Sequence, residues 1–135
     1  MKTINLNIAI KHCQLDELSV ADRELIEQAM KATDNAYAEY SHFYVGAALR
    51  LANGRIVIGA NQENAAFPSG LCAERTAVFS AQANYPDQPI EAIALVARNN
   101  NGLIYNPLTP CGACRQVLLG VEERYGLPMR ILMYG

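Results

Sequence analysis

No uncharged apolar run in this sequence approaches the ~18 residues of a membrane span. Nor does an apolar block of the signal-peptide kind follow Met1. The opening Met1-Lys2-Thr3-Ile4-Asn5-Leu6 alternates apolar and polar residues instead. A basic surplus is also missing: 11 lysines and arginines stand against 13 acidic residues, for a net charge of −2. Binders of nucleic acid or anionic membranes draw their affinity from phosphate neutralisation, so neither partner is expected. There are no repeats, no low-complexity tracts and no interdomain linker. What remains is a chain of 135 residues, 51% hydrophobic and 18% charged, which is the composition of one soluble globular domain. A chain of that length buries close to ~70% of its unfolded surface and needs no disulfide staples. The expected location is the cytoplasm. In that reducing compartment four cysteines serve more readily as metal ligands or catalysts than as disulfides.

Periodicity sets out the elements. Ile4, Leu6, Ile8 and Ile10 alternate with polar or small residues, which predicts a strand. Ser19, with Asp22 three residues on, marks a helix start. Leu25, Ile26, Ala29, Met30, Thr33, Ala36 and Tyr37 line one face of that helix. Phe43 to Leu51 and Arg55 to Asn61 read as a hairpin turning at Asn53-Gly54. After a loop with Pro68 and Gly70, a second helix opens at Cys72 and runs to about Asn84. Ile90 to Ala97 is a buried strand, with a short continuation at Leu103 to Tyr105. A third helix spans roughly Cys111 to Tyr125, stopped by Gly126 and Pro128, and Met129 to Tyr134 is the last strand. Helices alternating with strands after a hairpin predict an α/β fold, with helices on both faces of a central mixed β-sheet in a three-layer α/β/α sandwich.

The chemistry lies in two clusters, Cys72-Ala73-Glu74-Arg75 and Pro110-Cys111-Gly112-Ala113-Cys114-Arg115. Cys111 and Cys114 fall in the first turn of a helix, where i and i+3 side chains share a face. Cys72 also opens a helix. The free N–H groups and dipole of a first turn stabilise thiolates. Three thiolates at two helix starts supply three corners of a zinc tetrahedron, and water in the fourth is the open position of a catalytic site. Glu74, two residues past Cys72, is placed to move protons rather than to ligate.

Four segments then carry a resemblance: Tyr40-Ser41-His42-Phe43-Tyr44-Val45-Gly46-Ala47-Ala48, Asn61-Gln62-Glu63-Asn64-Ala65, Cys72-Ala73-Glu74-Arg75 and Pro110-Cys111-Gly112-Ala113-Cys114-Arg115-Gln116. In order and spacing the chain resembles the small homotetrameric cytidine deaminases, over residues from about 20 to 134. The resemblance implies one zinc ion per chain on Cys72, Cys111 and Cys114, and Glu74 as proton shuttle. It implies that Asn61 and Glu63 bind the ribose hydroxyls and that Phe43 packs against the base. The backbone of Ala73 and the carbonyls near Thr109 would meet the pyrimidine's polar edge and the leaving amine. Arg75 would donate to the thiolate sulfurs from outside the ligand set. It implies that Ala65 and Phe67 reach across a subunit interface, in a homo-oligomer, most simply a tetramer. The substrate would be a nucleoside, cytidine or deoxycytidine, deaminated by hydrolysis in pyrimidine salvage. Residues 1–135 would form one such domain, with 1–17 as an N-terminal extension. Phe67 stands where the family usually carries tyrosine, Glu39 where proline is common, and the family pattern continues past Gly135 with a strand and an aromatic residue.

Other readings of the same residues stay open. A fourth ligand from Cys13, His12 or His42 would close the zinc site and make it a non-catalytic module for protein contacts. A redox pair explains Cys111 and Cys114 but not Cys72 with Glu74. Glu74 alone also suits a helix dipole, Arg75 a solvated helix face, Phe43 the core, and Asn61 with Glu63 a strand end. Glu122-Glu123-Arg124 reads as solvated. A deaminase of another nucleoside-like molecule, or of a base in RNA, is the alternative within the same chemistry.

Overall fold

In the computed structural model, which describes residues 1–135, three helices and five strands alternate along the chain. They are α1 (Val20–Ala32), β1 (Tyr44–Leu51), β2 (Ile56–Ala60), α2 (Ala73–Asn84), β3 (Ile90–Asn99), β4 (Gly102–Leu103), α3 (Gly112–Tyr125) and β5 (Arg130–Tyr134). β1 and β2 form the hairpin read from Asn53-Gly54. Gly54 adopts φ +87°, a left-handed conformation that costs glycine little, and its N–H donates to the Leu51 carbonyl at 2.8 Å. β1 pairs antiparallel with β3, and β5 pairs parallel with β3 after crossing over through α3. The sheet is therefore mixed, as expected, and β3 is its centre.

Strand alternation sorts the sheet's side chains into two cores. Val45, Ala47, Leu49 and Leu51 of β1, with Ile93 and Leu95 of β3, meet Ala77 and Val78 of α2 and Leu118 and Val121 of α3. Ala48, Ala92, Ala94 and Val96 face the other way, against Leu25, Ile26 and Ala29 of α1. Each fully buried Leu, Ile or Val contributes about 1.5–3 kcal/mol, so the first face carries most of the apolar stabilisation. The second face is nearly all alanine, which lets α1 come close. A Cβ on Gly46 would strike the Ala29 carbonyl oxygen, so only glycine fits there.

Ser19 caps α1 by accepting from the Asp22 N–H at 3.1 Å. The Asp22 carboxylate turns elsewhere. It is buried, and accepts from Arg130 of β5 at 2.7 and 3.2 Å and from Arg50 of β1 at 3.3 Å. These bonds hold its carboxyl below the ordinary range, with Arg130 the larger cause, and tie α1 to both strands.

Four expectations need correction. Residues 1–14 form no strand; Ile4, Leu6, Ile8 and Ile10 are exposed and pair with nothing. Alternation makes a strand only where a neighbouring edge supplies hydrogen bonds, and none lies beside this segment. α1 stops at Ala32, where the chain tightens into a 3₁₀ turn at Thr33–Asn35, so Ala36 and Tyr37 leave the helix face. The Thr33 hydroxyl donates to the Met30 carbonyl at 2.7 Å and Tyr37 is exposed, its backbone bridging to Gln62. The strand after the β3 turn is only Gly102–Leu103. Glu122 is not simply solvated, since its carboxylate accepts from the Met129 N–H at 3.0 Å and draws the chain from α3 into β5. No helix is long and apolar enough to cross a membrane.

Candidate active site

Helices α2 and α3 begin side by side, with a cysteine at the N-cap of each: Cys72 on α2 and Cys111 on α3. Cys114 lies one turn into α3. The three sulfurs lie within 4.8 Å of one another. Cys72 Sγ and Cys111 Sγ are 3.8 Å apart. With Zn–S bonds of ~2.3 Å, the edge of a tetrahedron is ~3.8 Å, so these two thiols already stand at the spacing of a shared zinc ion. Cys13 lies in the exposed N-terminal segment. No fourth Cys, His or carboxylate joins the group, so the protein offers three corners and leaves one open, unlike a closed structural site.

The surroundings suit thiolates. The Cys114 N–H donates to Cys111 Sγ at 3.4 Å, and that bond lowers the Cys111 thiol below its ordinary value. Cys114 is buried, which pushes its thiol up. Arg75 reaches back over one turn of α2, and its Nη2 donates to Cys72 Sγ at 3.4 Å. The sulfurs, Cys72 foremost, hold the guanidinium firmly charged. Arg75 is thus engaged rather than solvated, and its buried Nε has no protein acceptor. Glu74 is only 3% exposed, and burial raises its carboxyl above the usual range. A buried carboxyl beside a thiol cluster is suited to carrying protons.

Gly59 of β2 sets where α2 starts. A Cβ there would lie 2.5 Å from the Ala73 carbonyl oxygen, the Ala77 nitrogen and Thr76 Oγ1. Thr76 Oγ1 lies 3.0 Å from the Ala60 carbonyl and 2.8 Å from that of Ala73, pinning the first turn of α2 to the end of β2. Neither residue was singled out in the sequence, although a lone glycine inside a strand pattern is a signal of close backbone approach.

Beyond the thiols opens a cavity of about 620 Å³. Asn61, Glu63, Ala65, Phe67, Cys72 and Arg75 line it. Phe43, Ala73, Glu74, Cys111 and Cys114 do not, so the cavity meets the cluster through Cys72. Phe43 is half-buried against the main core. Ala73 is fully buried. Phe67 stands 91% exposed at the rim. The Asn61 side chain is committed to backbone: Oδ1 accepts from Val45 N–H at 2.8 Å and Nδ2 donates to the Phe43 carbonyl at 2.9 Å. Its carboxamide thereby fixes the entry into β1, and one proton and one lone pair remain free. Glu63 accepts from the Tyr40 and Ser41 N–H groups at 3.0 and 3.1 Å and from the Ser41 hydroxyl at 2.5 Å. The hydroxyl chiefly holds the Glu63 carboxyl below the ordinary range.

Residues 19–124 match the family described as the cytidine and deoxycytidylate deaminase zinc-binding region. The chain belongs to that family. A cytidine deaminase of Halalkalibacterium halodurans is 46% identical over 98 residues, spanning 72% of this chain and 70% of the relative. The crystal structure of a cytidine deaminase from Burkholderia pseudomallei superposes with a TM-score of 0.64 at 47% identity, covering 71% of this chain and 72% of that one. The Mycobacterium tuberculosis cytidine deaminase gives 0.68 at 34% identity, covering 84% and 85%. The three-layer arrangement is therefore the fold of the deaminase family. Membership in a zinc-binding family, together with three thiols gathered within 4.8 Å of one another, assigns one zinc ion per chain as cofactor.

Proposed function

We propose that this chain is a cytidine deaminase, converting cytidine and deoxycytidine to uridine and deoxyuridine with release of ammonia. The observation that carries this reading is the pairing of an open three-thiol cluster with the buried carboxyl of Glu74. Cys72, Cys111 and Cys114 hold the metal. When bound, zinc supplies Lewis acidity that brings the pKa of water toward neutrality. Glu74 takes a proton from the attacking water. A C4–O bond forms, the C4–N bond breaks, and Glu74 returns protons to the pyrimidine and to the departing amine, so that water and cytidine leave as uridine and ammonia. Arg75 offsets the negative charge of the thiolates. Asn61 and Glu63 receive the ribose, Phe43 backs the base, and the backbone of Ala73 meets its polar edge.

A nucleoside rather than a nucleotide suits the cavity. Glu63 is its acid, and its arginine, Arg75, is already engaged by Cys72, leaving no spare cation for a 5′-phosphate. Residues 1–135 act as one domain, with 1–17 as an extension, in a cytoplasmic salvage enzyme. The exposure of Phe67 at the cavity rim supports a homo-oligomer, most simply a tetramer. There Ala65 and Phe67 close a neighbour's site. Purified protein incubated with cytidine should release ammonia and shift the ultraviolet absorbance. Equal turnover of cytosine or cytidine monophosphate would refute the nucleoside reading, and a fully active monomer in sedimentation would refute the shared site.

A further inference from the structure

The turn at Tyr40–His42 is hydrogen-bonded to the substrate-binding residues on both of its sides. Its backbone is unusual: His42 has φ +54°, a region side chains seldom occupy, and its N–H closes onto the Ala38 carbonyl at 2.9 Å. In the same turn two consecutive N–H groups, from Tyr40 and Ser41, point at one oxygen of Glu63, 22 to 23 residues away in sequence. The Ser41 hydroxyl takes the other oxygen at 2.5 Å and accepts from the Phe43 N–H at 3.1 Å. One hydroxyl therefore bridges Glu63 and Phe43. The Phe43 carbonyl is held in turn by Asn61 Nδ2 at 2.9 Å. A half-buried glutamate at a cavity wall still samples several rotamers, whereas this one is fixed by three donors before any ligand arrives.

We infer that Ser41 is a positioning residue for ribose recognition: its hydroxyl locks the Glu63 carboxylate in the orientation that receives a sugar hydroxyl. The inference rests on the deaminase reading given above. It goes beyond it by giving part of the sugar specificity to a cavity-lining residue that acts through Glu63. Three donors leave one lone-pair site, on Oε2, in a carboxylate that lines the cavity, and its freedom to turn away is removed. A ligand that meets an already oriented acceptor loses less entropy on binding.

The test compares cytidine with 2′,3′-dideoxycytidine, which lacks the 2′ and 3′ hydroxyls and keeps the 5′, on zinc-loaded protein. Ser41→Ala should lower kcat/KM for cytidine about tenfold, mainly through KM. Its penalty on the dideoxy substrate should be less than about twofold, because neither the 2′ nor the 3′ hydroxyl is left for Glu63 to hold. Ser41→Thr, which keeps the hydroxyl, should restore most of the loss. In a Glu63→Ala background, adding Ser41→Ala should cost nothing more. Equal penalties on both substrates, or full additivity with Glu63→Ala, would mean that Ser41 merely supports the loop, and would overturn the inference. So would a Ser41→Ala enzyme with unchanged KM for cytidine. Wild-type protein that releases no ammonia from cytidine would overturn the deaminase reading itself, a failure visible before any variant is made.

Discussion

Gly59→Ala puts one methyl group where the first turn of α2 passes over β2. The new Cβ would lie 2.5 Å from two backbone atoms and from Thr76 Oγ1, whereas ordinary contact begins near 3.4 Å. Relief therefore takes a displacement of about 0.9 Å. Two of the obstructing atoms are backbone, so a rotamer change does not provide it, and the start of α2 must move off the sheet. Overpacking of this kind costs about 1–3 kcal/mol. The same shift carries Cys72 and Glu74 away from Cys111, whose place is set by α3. A misplacement of about 1 Å at a reacting centre is worth roughly a hundredfold in rate. Gly59→Ala should thus unfold at lower denaturant, retain less than one zinc per chain after dialysis and deaminate cytidine roughly a hundredfold more slowly. Chemical denaturation, metal analysis and ammonia release measure the three effects separately. Wild-type stability and turnover in Gly59→Ala would show that α2 is not seated by this contact. Lost stability with full activity would show that the seat does not govern the thiol cluster.

Glu74→Gln should keep fold and zinc while losing about 10²–10⁴-fold in kcat, and near-normal turnover would assign the proton transfers to another group. Cys111→Ser should lose metal and stability together, and full zinc occupancy by metal analysis would contradict the ligand assignment. Asp22→Asn should cost about 2–3 kcal/mol at pH 7 by urea denaturation, because it leaves Arg50 without its buried partner while the more exposed Arg130 loses less. Since the folded-state pKa of Asp22 is lowered, its stabilisation is present above the unfolded value near ~3.9 and fades as pH falls through the lower folded value; a wild-type to mutant gap that did not narrow in acid would refute the assignment.

Local signals were legible in the sequence wherever the deciding partner lay within a few residues. Asn53-Gly54 marked the hairpin and Gly126, at φ +66°, the end of α3. The cysteines marked both helix starts to within one residue. Long-range partners were not legible. Nothing near Asp22 indicates that its carboxylate serves Arg50 and Arg130 rather than its own helix end. Ser41 stood inside a recognised segment without a role, because its partner Glu63 is 22 residues on. Asn61 read as a sugar contact, whereas its carboxamide first secures Phe43 and Val45. Residues 1–14 misled for the converse reason: alternation is local, but the pairing that makes a strand is not.

The thiols that meet at the cluster come from helices that touch one another only sparingly. Cys72 and Cys111 are 39 residues apart, with all of β3 between them. A metal gripping both closes that stretch into a ring, as a disulfide would. On chain entropy alone, a ring of that size restrains the unfolded chain by about 4 kcal/mol. The cofactor is then also the fastener between the two halves of one face of the sheet. Removing it with a chelator should free α2 and α3 to exchange their amide protons sooner, while the strands of β1 and β3 beneath them stay protected.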